Sequence, residues 1–200
     1  VLELVLASGN KGKLQELRAL LAPYNITVYS LADYPDMPET VEDGSTFLEN
    51  AVKKAREAAA YTGLPALADD SGLEVDYLNG QPGVYSARFA GPQKDDAANN
   101  SKLLRLMQNV PWEQRTAGFR CVMAICTPQG EVYTSEGTCR GYILQQARGQ
   151  GGFGYDPLFY VPEYDKTFAE LDMSEKNKIS HRGKALRGAV EILAKMAQEK

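Results

Sequence analysis

The sequence predicts an α/β fold with a mixed β-sheet. Short apolar runs of strand length, such as Leu4-Val5-Leu6-Ala7 and Pro65-Ala66-Leu67-Ala68, alternate with longer stretches of helical periodicity. A turn at Pro128-Gln129-Gly130 separates two β-like stretches, and that hairpin breaks a purely parallel βαβ series. Residues 1–200 carry no repeat, low-complexity tract or obvious linker, so a single domain of two lobes sharing one core is expected.

Taken in order, LELVLAS is a buried strand. From Lys13, the recurrence of Leu14, Leu17 and Leu21 predicts a helix that ends at Pro23. Ile26-Thr27-Val28-Tyr29 is a second strand, and the acidic, proline-broken DYPDMPETVEDG is a loop. Thr46 and Glu49 form a capping-box pattern for a long helix whose stripe is Phe47, Ala51, Ala55, Ala58 and Ala59. Gly63 and Pro65 stop it. PALADDSG is a further strand running into a charged turn. A glycine- and proline-rich loop and a helix near Asp95–Met107 precede the hairpin of Gly118–Cys126 and Glu131–Gly137. Past GQGGFGYDP come the strand LFYV and a short helix opened by Asp172 or Ser174. A last helix, from about Arg182, has Leu186, Val190, Leu193 and Ala197 as its stripe.

The formal net charge of −4 argues against nucleic acid and anionic membrane as partners. A polyanionic ligand must then be held by a local cluster of cations, which suits a small phosphorylated molecule. Cys121, Cys126 and Cys139 are odd in number and lack C-x-x-C spacing, so they read as buried hydrophobes rather than a disulfide framework or zinc site. No apolar stretch approaches the ~20 residues of a membrane span, and no signal peptide precedes Val1. A cytoplasmic protein is expected.

Five segments could carry chemistry. In SGNKGK a strand-to-helix turn offers backbone N–H groups at the positive end of a helix, with Ser8, Gly9, Asn10, Lys11, Gly12 and Lys13 around them. This suits phosphate, although a solvated turn opening an amphipathic helix would look similar. In ADDSG, Asp69 and Asp70 suit Mg²⁺, which borrows further ligands from phosphates; an Asx-turn or helix cap is the structural alternative. The acidic loop at Glu39–Asp43 matters only if the fold carries it to Asp70; otherwise it is solvated surface. In GGFGYDP the glycines free the backbone to present a ring on which a purine can stack, a contact worth roughly 1–3 kcal/mol, unless the aromatic is simply core. Lys176, Lys178, Ser180, His181 and Arg182 crowd cations at a helix start, which is costly without an anion or carbonyl to bind.

The Ser8–Lys13 turn, ADDSGLEVD, PGVYSAR, GGFGYDPLF and ISHRG together resemble, in that order, the inosine triphosphate pyrophosphatase family, the noncanonical purine nucleoside triphosphate pyrophosphatases. The likeness runs from Leu4 to the last helix. It implies a long twisted mixed β-sheet with flanking helices, forming two lobes around a central active-site cleft, in a homodimer. It also implies Mg²⁺-dependent hydrolysis of ITP, dITP and XTP to the monophosphate and pyrophosphate, cleansing the nucleotide pool. By the same resemblance the Ser8–Lys13 turn and Lys54 bind the triphosphate, and Glu42 and Asp70 hold magnesium. Asp70, or its neighbour Asp69, accepts the proton of the attacking water, and Ser71 touches substrate. Phe153 stacks on the base, while Gly154, Tyr155, Asp156, Lys176, His181 and Arg182 surround it. Related pyrophosphatases of modified pyrimidine or 7-methylguanine nucleotides are the nearest alternative, and the FGYD and SHRG segments disfavour it. A regulatory nucleotide-binding module is disfavoured by the carboxylate pair, and a purely structural protein leaves the cationic helix start unexplained.

Overall fold

The computed structural model describes residues 1–199. The first elements are β1 (Leu2–Leu6), α1 (Lys11–Leu21), β2 (Ile26–Ser30), α2 (Phe47–Thr62) and β3 (Ala66–Val75). They are followed by α3 (Asp96–Leu106), β4 (Thr116–Cys126), β5 (Val132–Ile143), β6 (Phe159–Val161), β7 (Lys166–Thr167), α4 (Met173–Ile179) and α5 (His181–Gln198). Among the described residues the strands form one seven-stranded sheet in the order β2-β1-β3-β4-β5-β6-β7. β1 pairs in parallel with β2 and β3, whereas β6 pairs antiparallel with β5 and β7, so the sheet is mixed as expected. No described helix is long and apolar enough to cross a membrane.

By its packing the chain divides into two units. The first comprises Val1–Asp70, Val122–Glu136 and the residues from Ala185 onward; the second comprises Ser71–Cys121 and Gly137–Lys184.

In the first unit, the registers Leu2↔Ile26 to Leu6↔Ser30 and Leu6↔Leu67 put β1 between β2 and β3. The chain therefore leaves β1 toward one neighbour through α1 and reaches the other through α2. The carboxyl end of a strand at such a switch of direction is where open α/β sheets hold ligands. Here that end is the Ala7–Asn10 turn. Ala51, Ala55 and Ala58 are fully buried, and their small side chains let α2 lie close to β1.

The second unit has an aromatic-rich core in which Phe119, Phe159 and Phe168 meet at centroid distances of 4.6–5.5 Å. Such pairs add about 0.5–1.5 kcal/mol each beyond the area they bury. Arg115, 1% exposed, spans this unit, donating to the carbonyls of Met107, Val110, Ile143 and Leu144.

The structure corrects several boundaries. β3 does not stop at ADDSG: Asp69, Asp70 and Ser71 lie inside a ten-residue strand. α1 begins at Lys11 with Asn10 as its N-cap, Asp172 rather than Ser174 caps α4, and α5 begins at His181. The second hairpin strand continues to Ile143. Thr46 accepts from the Glu49 N–H, but the Glu49 carboxylate reaches the backbone and hydroxyl of Ser45. Those bonds hold its pKa below the ordinary carboxylate value. All three cysteines are buried thiols, as expected from their spacing.

Candidate active site

β1 ends at Leu6 while its partner β3 runs on, so Asp69 and Asp70 extend two and three residues past Leu67, the residue paired with Leu6. They thus pass beside the turn that follows β1. Ser8 accepts from the Asn10 N–H at 3.1 Å, and the Asn10 side chain accepts from the Lys13 N–H at 3.0 Å. The Asn10 oxygen is therefore spent on capping α1. A Cβ on Gly9 would meet nothing within 4 Å, so the glycine leaves that side of the turn open. Lys11 and Gly12 are exposed in the first turn of the helix.

Lys13 Nζ lies 3.1 and 3.3 Å from the two carboxylate oxygens of Asp69. Lys54 Nζ donates to the Asp69 carbonyl and pairs with Glu42 Oε1 at 3.0 Å. The acidic loop does come to the carboxylate pair. Two ammonium groups and three carboxylates now share one end of the first unit. Beside them a groove of about 400 Å³ is lined by Ser8, Leu31, Tyr34, Glu39, Glu42 and Lys54.

Asp70 is half-buried and accepts from Asn50 Nδ2 at 3.0 Å. Burial pushes its carboxyl up to about 6, opposed by the Asn50 hydrogen bond and Lys54 and reinforced by the negative charges of Glu42 and Asp69. A desolvated carboxylate crowded by two others is an arrangement that a hard divalent cation would relieve. Glu42 and Asp70 offer the oxygen donors that Mg²⁺ prefers, and in that sense the residues present fit it. Among the described residues, no group of three or more His, Cys, Asp or Glu side chains is placed to hold a metal unaided.

In the second unit, Phe153 is 74% exposed, unusual for so large an apolar side chain. Gly152 and Gly154, with φ of +71° and +58°, provide the left-handed backbone that turns the loop out at this point. Behind it, buried Asp156 accepts from the Phe153 N–H at 3.0 Å and from Lys176 Nζ at 2.7 Å. Burial pushes the Asp156 carboxyl above its ordinary value, and the Lys176 charge opposes that. Lys176 Nζ also stands 4.8 Å from the centre of the Phe153 ring, within cation–π range. The Asp156 carboxylate, expected to face the base edge, is thus engaged with its own loop and with Lys176 of α4.

α3 holds the same loop from the other side: the Gly154 N–H donates to Asp96 at 2.9 Å and its carbonyl accepts from Asn100 at 3.0 Å. Tyr155 departs from the expectation of a pocket wall. Its ring is buried in the core and its hydroxyl donates to the Ser86 carbonyl at 2.6 Å. His181 and Arg182 open α5, and the His181 ring stacks on Phe119 at 4.8 Å. Ser71 is exposed on β3.

The model of the Ham1 family matches residues 4–192. The chain belongs to the Ham1 family. A protein of Desulforamulus reducens named dITP/XTP pyrophosphatase is 62% identical over 98% of this chain and 97% of its own length. One of the same name from Geobacter sulfurreducens is 58% identical over 92% of each chain. The solved HAM1 protein of Coxiella burnetii superposes with a TM-score of 0.92 at 45% identity, covering 98% of this chain and all of that one. The resemblance to inosine triphosphate pyrophosphatases and the mixed α/β architecture are both borne out.

Sequence reasoning missed three residues of this Ham1-family chain that secure its candidate site: Asn50, Asp96 and Asn100. For Asn50 a signal existed. Asparagine is a poor helix former, yet it sits beside the alanine stripe of α2 and is 2% exposed. A buried amide there needs partners.

Proposed function

We propose that this chain is a nucleoside triphosphate pyrophosphohydrolase that converts dITP, XTP and ITP to the monophosphate and pyrophosphate. The observation that carries the reading is the desolvated Asp70 carboxyl, with Lys13 and Lys54 at its neighbour Asp69. That end of the first unit has the parts for hydrolysing a phosphoric anhydride: a proton acceptor and cations for developing phosphoryl charge. The names of the two bacterial relatives support the substrate class.

We assign the triphosphate to the first unit. The Ser8–Lys13 turn offers backbone N–H groups and the Lys11 ammonium at the start of α1. Lys13 and Lys54 exchange their carboxylate partners for phosphate oxygens. Asp70 takes the proton of the water that attacks the α-phosphorus. Asp69 is the weaker candidate for that role, because both its oxygens are already engaged by Lys13. Glu42 and Asp70 would hold Mg²⁺, which supplies positive charge to the phosphate oxygens when bound.

The purine is assigned to the second unit. Phe153 offers its exposed ring for stacking, and Lys176 and Asp156 hold that ring in place. His181 and Arg182 are assigned to the 6-keto oxygen, which adenine lacks, and Ser71 to the substrate. A homodimer working in the cytoplasm completes the reading, on the strength of the family resemblance.

The test is a panel of ITP, dITP, XTP, ATP and GTP, assayed with Mg²⁺ and with EDTA, and scored for monophosphate and pyrophosphate. Release of orthophosphate, or equal hydrolysis of ATP, would overturn the proposal.

A further inference from the structure

The loop that carries Glu42 has little regular structure of its own, yet side chains from the first turns of α2 fasten it at successive points. Glu49 binds Ser45, Lys53 Nζ binds the Val41 carbonyl at 2.7 Å and Asp43 at 2.9 Å, and Lys54 binds Glu42. Asn50 differs from these in reaching both sides. Its Oδ1 accepts from the Gly44 N–H at 2.8 Å, and its Nδ2 donates to Asp70 Oδ2 at 3.0 Å. The two partners fix which end of the amide is which, since an N–H must meet the oxygen and a carboxylate must meet the nitrogen. Gly44 fits the same arrangement sterically. Its backbone is not left-handed, but an added Cβ would lie 2.6 Å from Asn50 Oδ1 and 2.8 Å from Glu49 Cβ.

We propose that Asn50 is a positioning residue for the divalent cation: one buried amide sets the Glu42 loop and the Asp70 carboxylate in register. This rests on the reading that Glu42 and Asp70 hold Mg²⁺. Donating to one oxygen of Asp70 orients the carboxylate, and accepting from Gly44 fixes the loop two residues beyond Glu42. Hydrogen-bond partners that orient ligands in this way typically contribute about 10- to 100-fold to metal affinity.

The test uses Asn50→Leu, which removes both bonds at similar volume, and Gly44→Ala, whose added Cβ crowds Asn50 Oδ1 and forces the loop and the amide apart. Asp70→Asn serves as control. Mg²⁺ is titrated into the nucleotide-free full chain and followed by NMR; the Mg²⁺ dependence of ITP hydrolysis is measured separately. Both variants are expected to bind Mg²⁺ about 10- to 100-fold more weakly. At saturating Mg²⁺ their KM for ITP should stay within about threefold of wild type, a split that general destabilisation would not produce. In the wild type, the Gly44 amide and the Asn50 side-chain amide should shift together with Mg²⁺ occupancy. If Asp70→Asn weakens Mg²⁺ while Asn50→Leu and Gly44→Ala bind it like wild type, the positioning role is overturned. If Asp70→Asn leaves Mg²⁺ binding unchanged, the metal assignment itself fails and this inference with it. Should both variants fail to fold, wild-type Gly44 and Asn50 resonances that ignore Mg²⁺ would overturn it equally.

Discussion

Replacing Asp70 by Asn should stabilise the metal-free protein while abolishing its chemistry. In the folded chain burial lifts this carboxyl from an ordinary 3.8 to about 6. Below about pH 4 it is protonated whether the chain is folded or not. Between that pH and about 6 the folded protein keeps the proton more firmly than the unfolded chain does. Stability is therefore lost as pH rises through the folded value, and above it an ionised group sits in a desolvated site. A difference of about two pH units corresponds to a ceiling near 3 kcal/mol. Solvent screening of a half-buried group reduces this to roughly 1–2 kcal/mol. The substituted amide carries no charge and still accepts from Asn50, so the variant escapes that cost. In a chain of this size the gain corresponds to a melting temperature roughly 3–6 °C higher at pH 8 in EDTA. At pH 4 the difference should vanish. Turnover of ITP should fall about 100- to 10,000-fold, the usual contribution of a positioned proton acceptor. Thermal melts at the two pH values and a pyrophosphate-release assay test both halves. Equal melting temperatures at pH 8 would show that Asp70 is not desolvated, and near-normal ITP hydrolysis would remove it from the mechanism.

Other outcomes follow from the same geometry. Arg182→Ala should weaken ITP far more than bare pyrophosphate; equal losses in competition binding would mean that Arg182 does not read the base. Lys176→Met leaves Asp156 buried opposite an apolar side chain and should cost about 3 kcal/mol in urea unfolding, much of it recovered by adding Asp156→Asn. Asp96→Ala removes one bond from the Gly154 peptide, worth about 1 kcal/mol, and should lower kcat/KM for ITP about fivefold with Mg²⁺ dependence unchanged. Arg115→Met strips a donor from three buried carbonyls and one part-buried carbonyl and should cost at least 3 kcal/mol of stability, read by urea denaturation.

What the sequence made legible was local. The SGNKGK stretch was legible as a strand-to-helix turn though not down to its capping residue, and the alanines of α2 announce a close-packed face. The error at ADDSG has a physical cause. Aspartate, serine and glycine ordinarily leave a strand because their side chains compete for backbone hydrogen bonds. Here distant partners satisfy them in place, with Lys13 on Asp69, Asn50 on Asp70 and Lys54 on the Asp69 carbonyl. Those partners lie 56, 20 and 15 residues away, beyond any local pattern. Phe153 and Tyr155 present the same difficulty in miniature. Two rings flank Gly154, and nothing in GFGYD says which one the core takes; the Ser86 carbonyl, 69 residues distant from Tyr155, decides it. Asp96 and Asn100 were invisible because their task is to hold a peptide group on a loop that follows two further strands.

The fastening of the acidic loop to α2 bears on how such a protein can vary. Side chains of α2 bind Val41, Asp43 and Gly44, and the position of that helix is set by the alanine face beneath it. The stretch from Tyr34 to Glu39 is thereby relieved of any duty to aim Glu42. Its closure cost grows only with the logarithm of its length, about 0.6 kcal/mol for each doubling. Insertions, deletions or even a proteolytic nick in that stretch should be absorbed without disturbing the carboxylates, leaving the bend open to whatever sequence a lineage finds useful there.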